Sequence, residues 1–396
     1  MDIFRKRSRI IITCNKRLAP YLQAEVEMLG FKPVRVFSTG IELEGTVTDC
    51  IRLNLHLRCA SQVLYSLKTF TASDPEVIYK VASALPWELI INTGSYLSVT
   101  SNVDHPSIRT PLFANLKVKD GIVDRLRNKT GIRPDSGPEL SGSVIHLYWK
   151  DDYAELFLDT SGESLAKHGY RKKPGKAPML EALAAATLLA TKWNREGPFI
   201  NPMCGSGTIA IEAALIATNR KPGLFRQQYA FMHLHGYNEQ DYSKERKLLD
   251  EQVSEKPDLK IVASDISHDA IHIAKINAQI AGVDHLMNFQ VCDFEKTEIP
   301  ESTDGIVFFN PEYGERLGVL AELEATYGRI GDFLKQKCSG YTGYIFTGNL
   351  DLAKKIGLKA KRKIEFYTGK IDCRLLEFEL YKGSREKKID VSSSQI

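Results

Sequence analysis

Apolar positions in the C-terminal half alternate between short continuous runs and helical stripes. The runs "PFINPM" (198–203), "KIVASDI" (260–266), "MNFQVCD" (287–293), "GIVFFNP" (305–311) and "YTGYIFTG" (341–348) have strand length. Between and around them, "MLEALAAATLLATKW" (179–193), "GTIAIEAALIATN" (207–219), "HDAIHIAKINAQIAG" (268–282) and "LEATYGRIGDFLKQKC" (323–338) repeat apolar residues at helical spacing. Two more apolar strands end near Tyr381. This rhythm predicts an α/β fold, a doubly wound sheet whose ligands lie at the carboxyl ends of the strands. The aromatic and charged segment from Thr218 to Lys260 breaks the alternation and reads as an insertion beside the site. The N-terminal half has a different rhythm. "RIIITC" (9–14) reads as a strand, "APYLQAEVEMLG" as a helix closed by Gly30, and "GIELEG" (40–45) as an alternating strand, giving a small α+β unit over residues 1–61. A basic α+β segment follows over 62–163, with a strand at 94–103, a helix stopped by Gly131 and two strands around the Asp151-Asp152 turn. Residues 164–177, ending in "HGYRKKPGKAP", read as a linker. The doubly wound domain then occupies 178–382, with a polar tail at 383–396.

Composition narrows the class. With 43% hydrophobic and 26% charged residues, the 396-residue chain is ordinary globular material, long enough for two or three cores. The net charge of +4 means little by itself, but cations cluster at Arg5–Arg9, Lys117–Arg133 and Lys167–Lys176, which is informative only if they share a surface. Lys119, Arg125, Arg127, Arg171 and Lys172 are the candidate RNA-binding cations. Seven cysteines without C-x-x-C spacing indicate neither a zinc module nor a disulfide framework, so no metal is expected. No run reaches about 18 apolar residues and the N-terminus turns polar at once, so neither a spanning helix nor a signal peptide is expected, and the expected compartment is the cytoplasm.

The stretch "FINPMCGSGTIAIEAA" (199–214) runs from a strand through a glycine turn into a helix. Its "GSGTIA" satisfies G-x-G-x-x-A, a weak signal that would also suit a dinucleotide. Gly205 and Gly207 allow the backbone to approach a ligand. Asp265 ends the next strand, where a carboxylate can hold a ribose diol, and Asp293 ends the one after, where it can receive an adenine amine. The commonplace alternative for each acid is a helix cap or turn residue. Cys204, inside the turn, has no histidine beside it in sequence and reads as a packed thiol rather than a nucleophile.

These residues carry a resemblance. "NPMCGSGTIAIEAA" resembles motif I of class I S-adenosylmethionine methyltransferases, in the form used by rRNA guanine-N2 methyltransferases bearing a THUMP domain. "LRCASQVL" (57–64), "LKVKDGIVDRLRNKTGIRP" (116–134), "LDTSGESLAKHGYR" (158–171), Ala177-Pro178 and "NPEYGERLG" (310–318) resemble that family's landmarks in its order, so the likeness covers roughly Arg9 to Tyr381. It implies a ferredoxin-like N-terminal unit, a THUMP domain that binds RNA, and a Rossmann-like class I methyltransferase domain. The implied cofactor is S-adenosyl-L-methionine, held by Asn201, Pro202, Cys204, Gly205, Gly207, Asp265 and Asp293.

In "NPEY" (310–313), the Asn310 side-chain oxygen and the Pro311 carbonyl would accept the hydrogens of an exocyclic amine, freeing its lone pair for attack on a methyl. Tyr313 would stack on the extruded base. This motif does not choose among adenine N6, cytosine N4, guanine N2 and a protein glutamine; the resemblance points to guanine N2 in large-subunit (23S) rRNA. One departure stands out: Glu312 replaces the family's second proline. A catalytically silent RNA-binding protein, an adenine-N6 or protein-glutamine methyltransferase and a nicotinamide enzyme remain alternatives. His268 and His272 read as a solvated helix face, while His233, His235 and the aromatics Phe225, Tyr229, Phe231 and Tyr237 suit either core packing or RNA stacking.

Overall fold

The computed structural model describes residues 2–173, 178–256, 258–314 and 320–381. Pro174–Ala177 of the expected linker, Glu315 and Arg316 of the "NPEYGER" stretch, and the expected polar tail lie outside the described residues.

The first half forms β1 (Ser8–Thr13), α1 (Ala19–Met28), β2 (Arg35–Phe37), β3 (Gly40–Gly45), α2 (Val47–His56), β4 (Gln62–Thr71), α3 (Pro75–Ala84), β5 (Leu97–Asp104), α4 (Pro111–Thr130), β6 (Ser143–Lys150) and β7 (Tyr153–Asp159). Helix α2 starts at a capping box in which Thr46 and Asp49 satisfy each other's backbone N–H groups. Gly131 ends α4 at φ 72°, a left-handed stop that glycine adopts without strain. The strands make one seven-stranded sheet in the order β2-β3-β1-β4-β7-β6-β5. That sheet continues through residue 61, because β4 pairs with β1 on one side and β7 on the other.

The second half adds α5 (Glu181–Leu189), β8 (Phe199–Pro202), α6 (Thr208–Ala217), α7 (Glu239–Glu251), β9 (Ile261–Asp265), α8 (His268–Ala281), β10 (Met287–Val291), β11 (Ile306–Phe309), α9 (Leu320–Lys337), β12 (Thr342–Thr347), α10 (Leu350–Lys354), β13 (Arg362–Thr368) and β14 (Ile371–Glu379). Its sheet runs β10-β9-β8-β11-β12-β14-β13. The pairings from β10 to β12 are parallel, and β14 is antiparallel to β12 and β13. Strand order reverses at β8, which lies between β9 and β11, so the ligand crevice opens at the carboxyl ends of these three strands.

Two sequence expectations change. The segment 164–173 is packed rather than a loose linker: Leu165, Ala166, His168 and Tyr170 are all buried. The 218–260 insertion is chiefly a wedge between the halves. Phe231 N–H donates to Thr160 O, Asn92 N–H to His233 O, and Leu234 bridges to Ile91. Tyr229 and Phe231 are 2% and 0% exposed, so core packing takes them and base stacking does not.

Helix α6 explains why the halves are joined so tightly. All its residues are buried, including Glu212 at 0% exposure. A carboxylate there needs a partner, and His168, also 0% exposed, supplies it at 2.7 Å through Nδ1. Nε2 of the same ring lies 2.8 Å from the Arg58 carbonyl. With an acceptor on each nitrogen the ring donates twice and is an imidazolium. Burial opposes that charge, but Glu212 and the Arg58 carbonyl outweigh it and hold the His168 pKa above its ordinary value. The Arg58 guanidinium in turn donates to Leu215 O of α6 and to Arg220 O, while its backbone N–H donates to Glu25 of α1.

Because the folded-state pKa of His168 is raised, its contribution is full below its unfolded value of about 6.5 and is lost as pH rises through the folded value. His168→Leu, which strands a buried carboxylate, is expected to cost about 3–5 kcal/mol, and adding Glu212→Leu to restore much of it. Thermal unfolding followed between pH 6 and 9 checks both points. The gap between wild type and His168→Leu should narrow as pH rises, and a gap that does not depend on pH would contradict a charged His168.

Candidate functional site

The glycine turn is built from the end of β8. Asn201 and Pro202 are buried, Met203 takes φ 56°, and Cys204 N–H donates to Ser264 O of β9. Gly205 (φ 56°) and Gly207 (φ 80°) then turn the chain into α6. At Gly205 a Cβ would meet nothing within 4 Å, so the backbone borders open space that a ligand can use. At Gly207 a Cβ would come 2.9 Å from Ala274 Cβ of α8, so this glycine serves close packing. Burial pushes the Cys204 thiol well above its ordinary pKa, with Asp265 adding to the effect, and keeps it neutral.

Asp265 is joined to this turn. Its Oδ2 accepts from Gly205 N–H at 3.0 Å and its Oδ1 from Ser267 N–H at 2.9 Å. A carboxylate has about four lone-pair sites, so capacity for two ribose hydroxyls remains. Asp293 caps the short 3-10 turn Phe294–Lys296 and pairs with Arg329 at 2.8 Å. Partial burial works to raise its pKa, but Arg329 and the Glu295 N–H lower it further, so it stays an ionised acceptor.

On the other side of β8, Asn201 Nδ2 donates to Phe308 O of β11 at 2.8 Å. This places the carboxamide two residues before Asn310. Asn201 Oδ1 and Asn310 Oδ1 are both buried and have no hydrogen-bond partner among the described residues. Such orphaned acceptors are costly unless a ligand satisfies them. Pro311 is buried and Glu312 exposed. The Tyr313 ring lies over Gly348, where a Cβ would sit 3.0 Å from Cδ2 and Cε2, and Asn349 Nδ2 donates to Tyr313 O at 3.4 Å.

The structure therefore gathers Asn201, Pro202, Cys204, Gly205, Gly207, Asp265, Asp293, Asn310, Pro311 and Tyr313 along one carboxyl edge. The candidate RNA cations are not gathered there. On α4, Arg125 is bound to Glu88, Arg127 to Asp124 and Lys119 to Asp120; most of this charge is already compensated. Arg171 is a correction. It is 11% exposed and donates to Met179 O, Thr208 Oγ1 and Glu181, tying the segment before α5 to the first residue of α6. Lys172 is exposed. His268 and His272 are exposed on α8, and among the described residues no three His, Cys, Asp or Glu side chains are grouped to hold a metal.

Asn277 was not singled out by sequence. Fully buried on α8, it donates to Ser206 O inside the glycine turn and to Lys173 O. The signal was present: in the stripe Ile271, Ala274, Asn277, Ala278, Ala281, the asparagine is the one polar residue on a buried face.

Comparison with known proteins fits this geometry. Residues 9–64 match the RlmL ferredoxin-like domain, 72–159 the THUMP domain, and 168–377 the RMKL-like methyltransferase domain. Ribosomal RNA large subunit methyltransferase K/L of Syntrophotalea carbinolica is 36% identical over 94% of this chain and 53% of its own length. The protein of the same name from Methylococcus capsulatus is 35% identical over 93% of this chain and 50% of its own. The chain thus spans about half the length of these curated relatives. Among solved structures, SMU.472, named as a methyltransferase and complexed with SAH, superposes with a TM-score of 0.85 at 27% identity, covering 96% of this chain and 100% of that one. A predicted N6-adenine-specific DNA methylase from Listeria monocytogenes str. 4b F2365 gives 0.83 at 29% identity, over 95% and 97%. No helix among the described residues is long and apolar enough to cross a membrane. With the catalytic-domain match alone spanning more than half of the residues, the chain belongs to the RMKL-like methyltransferase domain family.

Proposed function

We propose that the protein methylates an exocyclic base amine in RNA, with guanine N2 of large-subunit rRNA as the target and S-adenosylmethionine as the methyl donor. The observation that carries this reading is the buried, unpartnered Asn310 Oδ1 at the carboxyl end of β11, one strand from the glycine turn. The RNA assignment draws on the THUMP match and on the names of the curated relatives.

The residues present fit the cofactor. Open space at Gly205 suits the methionine portion, Asp265 the ribose and Asp293 the adenine amine. When bound, the cofactor supplies an electrophilic methyl on a sulfonium. Asn310 Oδ1 and the Pro311 carbonyl accept the amine's two hydrogens, which draws the nitrogen toward tetrahedral geometry and frees its lone pair. Tyr313 holds the extruded base so that this lone pair faces the methyl, a proximity effect. With the methyl donor bound, the freed lone pair would take up the methyl, and the extra proton on the nitrogen would then leave to water, since no base stands beside Asn310 in this reading. Glu312 is exposed to solvent. The same acceptor pair serves adenine N6, and the Listeria neighbour's name favours that second reading.

Transfer of labelled methyl to unmodified large-subunit rRNA, followed by nucleoside mass spectrometry, tests the proposal. N2-methylguanosine is expected; N6-methyladenosine would establish the second reading. Cofactor binding without transfer to any RNA would overturn both. Asn310→Ala should lower transfer by about 100-fold with cofactor affinity unchanged, the scale of losing one well-aimed polar group. Asp265→Ala should weaken cofactor binding by about 1–3 kcal/mol in calorimetry. Gly348→Ala should displace the Tyr313 ring and lower the transfer rate without weakening cofactor binding, and an unaltered rate would show that the ring's seat is immaterial.

A further inference from the structure

The β13–β14 hairpin projects past the carboxyl edge that carries Asn310 and Tyr313. In the antiparallel register Arg374 lies opposite Thr347, the last residue of β12. Residues 371–373 and the turn before them therefore project beyond the carboxyl edge of β12, by roughly 10 Å at about 3.3 Å per residue. Ile371 Cγ2 and the Tyr313 ring both lie within 3.0 Å of the Cβ position that Gly348 leaves vacant, so the hairpin abuts the base pocket. Its turn presents exposed Lys370. One pair further back Tyr367 faces Asp372, and Lys16 Nζ, from the loop after β1, sits 4.1 Å from the Tyr367 ring centre.

The charges on this ridge do not cancel. Glu365 pairs with Arg17 and Arg374, and Asp372 with Arg374. Lys16 lies close enough to Asp372 to lower its pKa, after the larger effect of Arg374. Neither Lys16 nor Lys370 has an acidic partner within ion-pair distance among the described residues. Both are exposed. This contrasts with α4, where Lys119, Arg125 and Arg127 pair with acids.

Resting on the RNA reading above, we propose that this ridge is the track for the RNA strand leaving the target base. Lys370 and Lys16 hold phosphates of that strand, with the half-buried Tyr367 ring packed beneath Lys16. Cations interleaved with an aromatic ring suit a single strand, whose phosphates need charge and whose bases stack without sequence preference. A strand flanking an extruded base must also cross the pocket rim, and the overhanging hairpin forms that rim. Because Lys16 belongs to the N-terminal unit and Lys370 to the catalytic domain, the track spans both.

The test is fluorescence anisotropy of the full chain with a labelled, mixed-sequence, single-stranded 12-nucleotide RNA between 50 and 300 mM salt. Lys16→Glu/Lys370→Glu should weaken binding at least about tenfold and flatten the salt dependence by one to two phosphate contacts. Lys16→Gln/Lys370→Gln should give a smaller loss of the same sign, with cofactor binding retained as the check on folding. The charge-matched control Lys244→Glu/Lys247→Glu on α7 should bind like wild type. Unchanged binding by the Lys16/Lys370 variants, or an equal loss in the control, would overturn the track while leaving the RNA reading intact. Wild-type protein that fails to bind the RNA at any salt would overturn both.

Discussion

The ion pair between His168 and Glu212 lies where three parts of the chain meet. Arg58, whose carbonyl accepts from the ring, belongs to the N-terminal unit; His168 belongs to the segment before the catalytic domain; Glu212 sits on α6, which begins at the glycine turn. All three side chains are buried. Removing any one leaves a charge or a strong acceptor in a low-dielectric interior, which is why these parts cannot drift apart at small cost. The apolar core is shared as well, running from Ile10 and Leu22 on one side to Phe199 and Phe308 on the other.

From that junction the catalytic edge is set out in short steps. Arg171, three residues after His168, fixes the start of α6 through Thr208. Asn277 fixes Ser206 within the turn, Asp265 fixes Gly205, and Asn201 bridges β8 to β11 just below Asn310. The last three are hydrogen bonds to backbone, so they place main chain rather than a mobile tip. The acceptors left over at this edge, on Asn201 and Asn310, have no partner among the described residues, and the proposed function assigns them to ligands. Preorganised oxygens of this kind are already oriented when the substrate arrives.

Much of this was legible in the sequence. Alternating strands and helices disclosed the catalytic sheet, and the glycine turn with its strand-end acids disclosed one edge of it, because period and turn chemistry are local properties. Charge roles were not legible, since which acid each cation meets is decided by the fold and not by the cation's place in a basic run. Arg125 meets Glu88 and Arg171 meets Glu181, so neither is an unpaired cation, while Lys370 and Lys16 lie in no basic cluster of more than a few residues and are brought onto one ridge, through Tyr367 and the hairpin turn, only by the fold. Residues 164–173 misled for a related reason. Their Gly and cations look like a linker, yet His168 is fully buried against Glu212, more than forty positions away, and Tyr170 packs on Phe225.

That a charged His168 locks the two halves is tested most directly at the ring itself. With histidine nitrogens labelled, long-range proton–nitrogen correlation spectra of wild type and of a His168→Leu variant identify the His168 signals among the nine histidines. At neutral pH both ring nitrogens should be protonated, and should remain so as the pH is raised past the ordinary imidazole value of about 6.5. A His168 ring with one bare nitrogen at neutral pH would contradict the ion pair and the junction built on it.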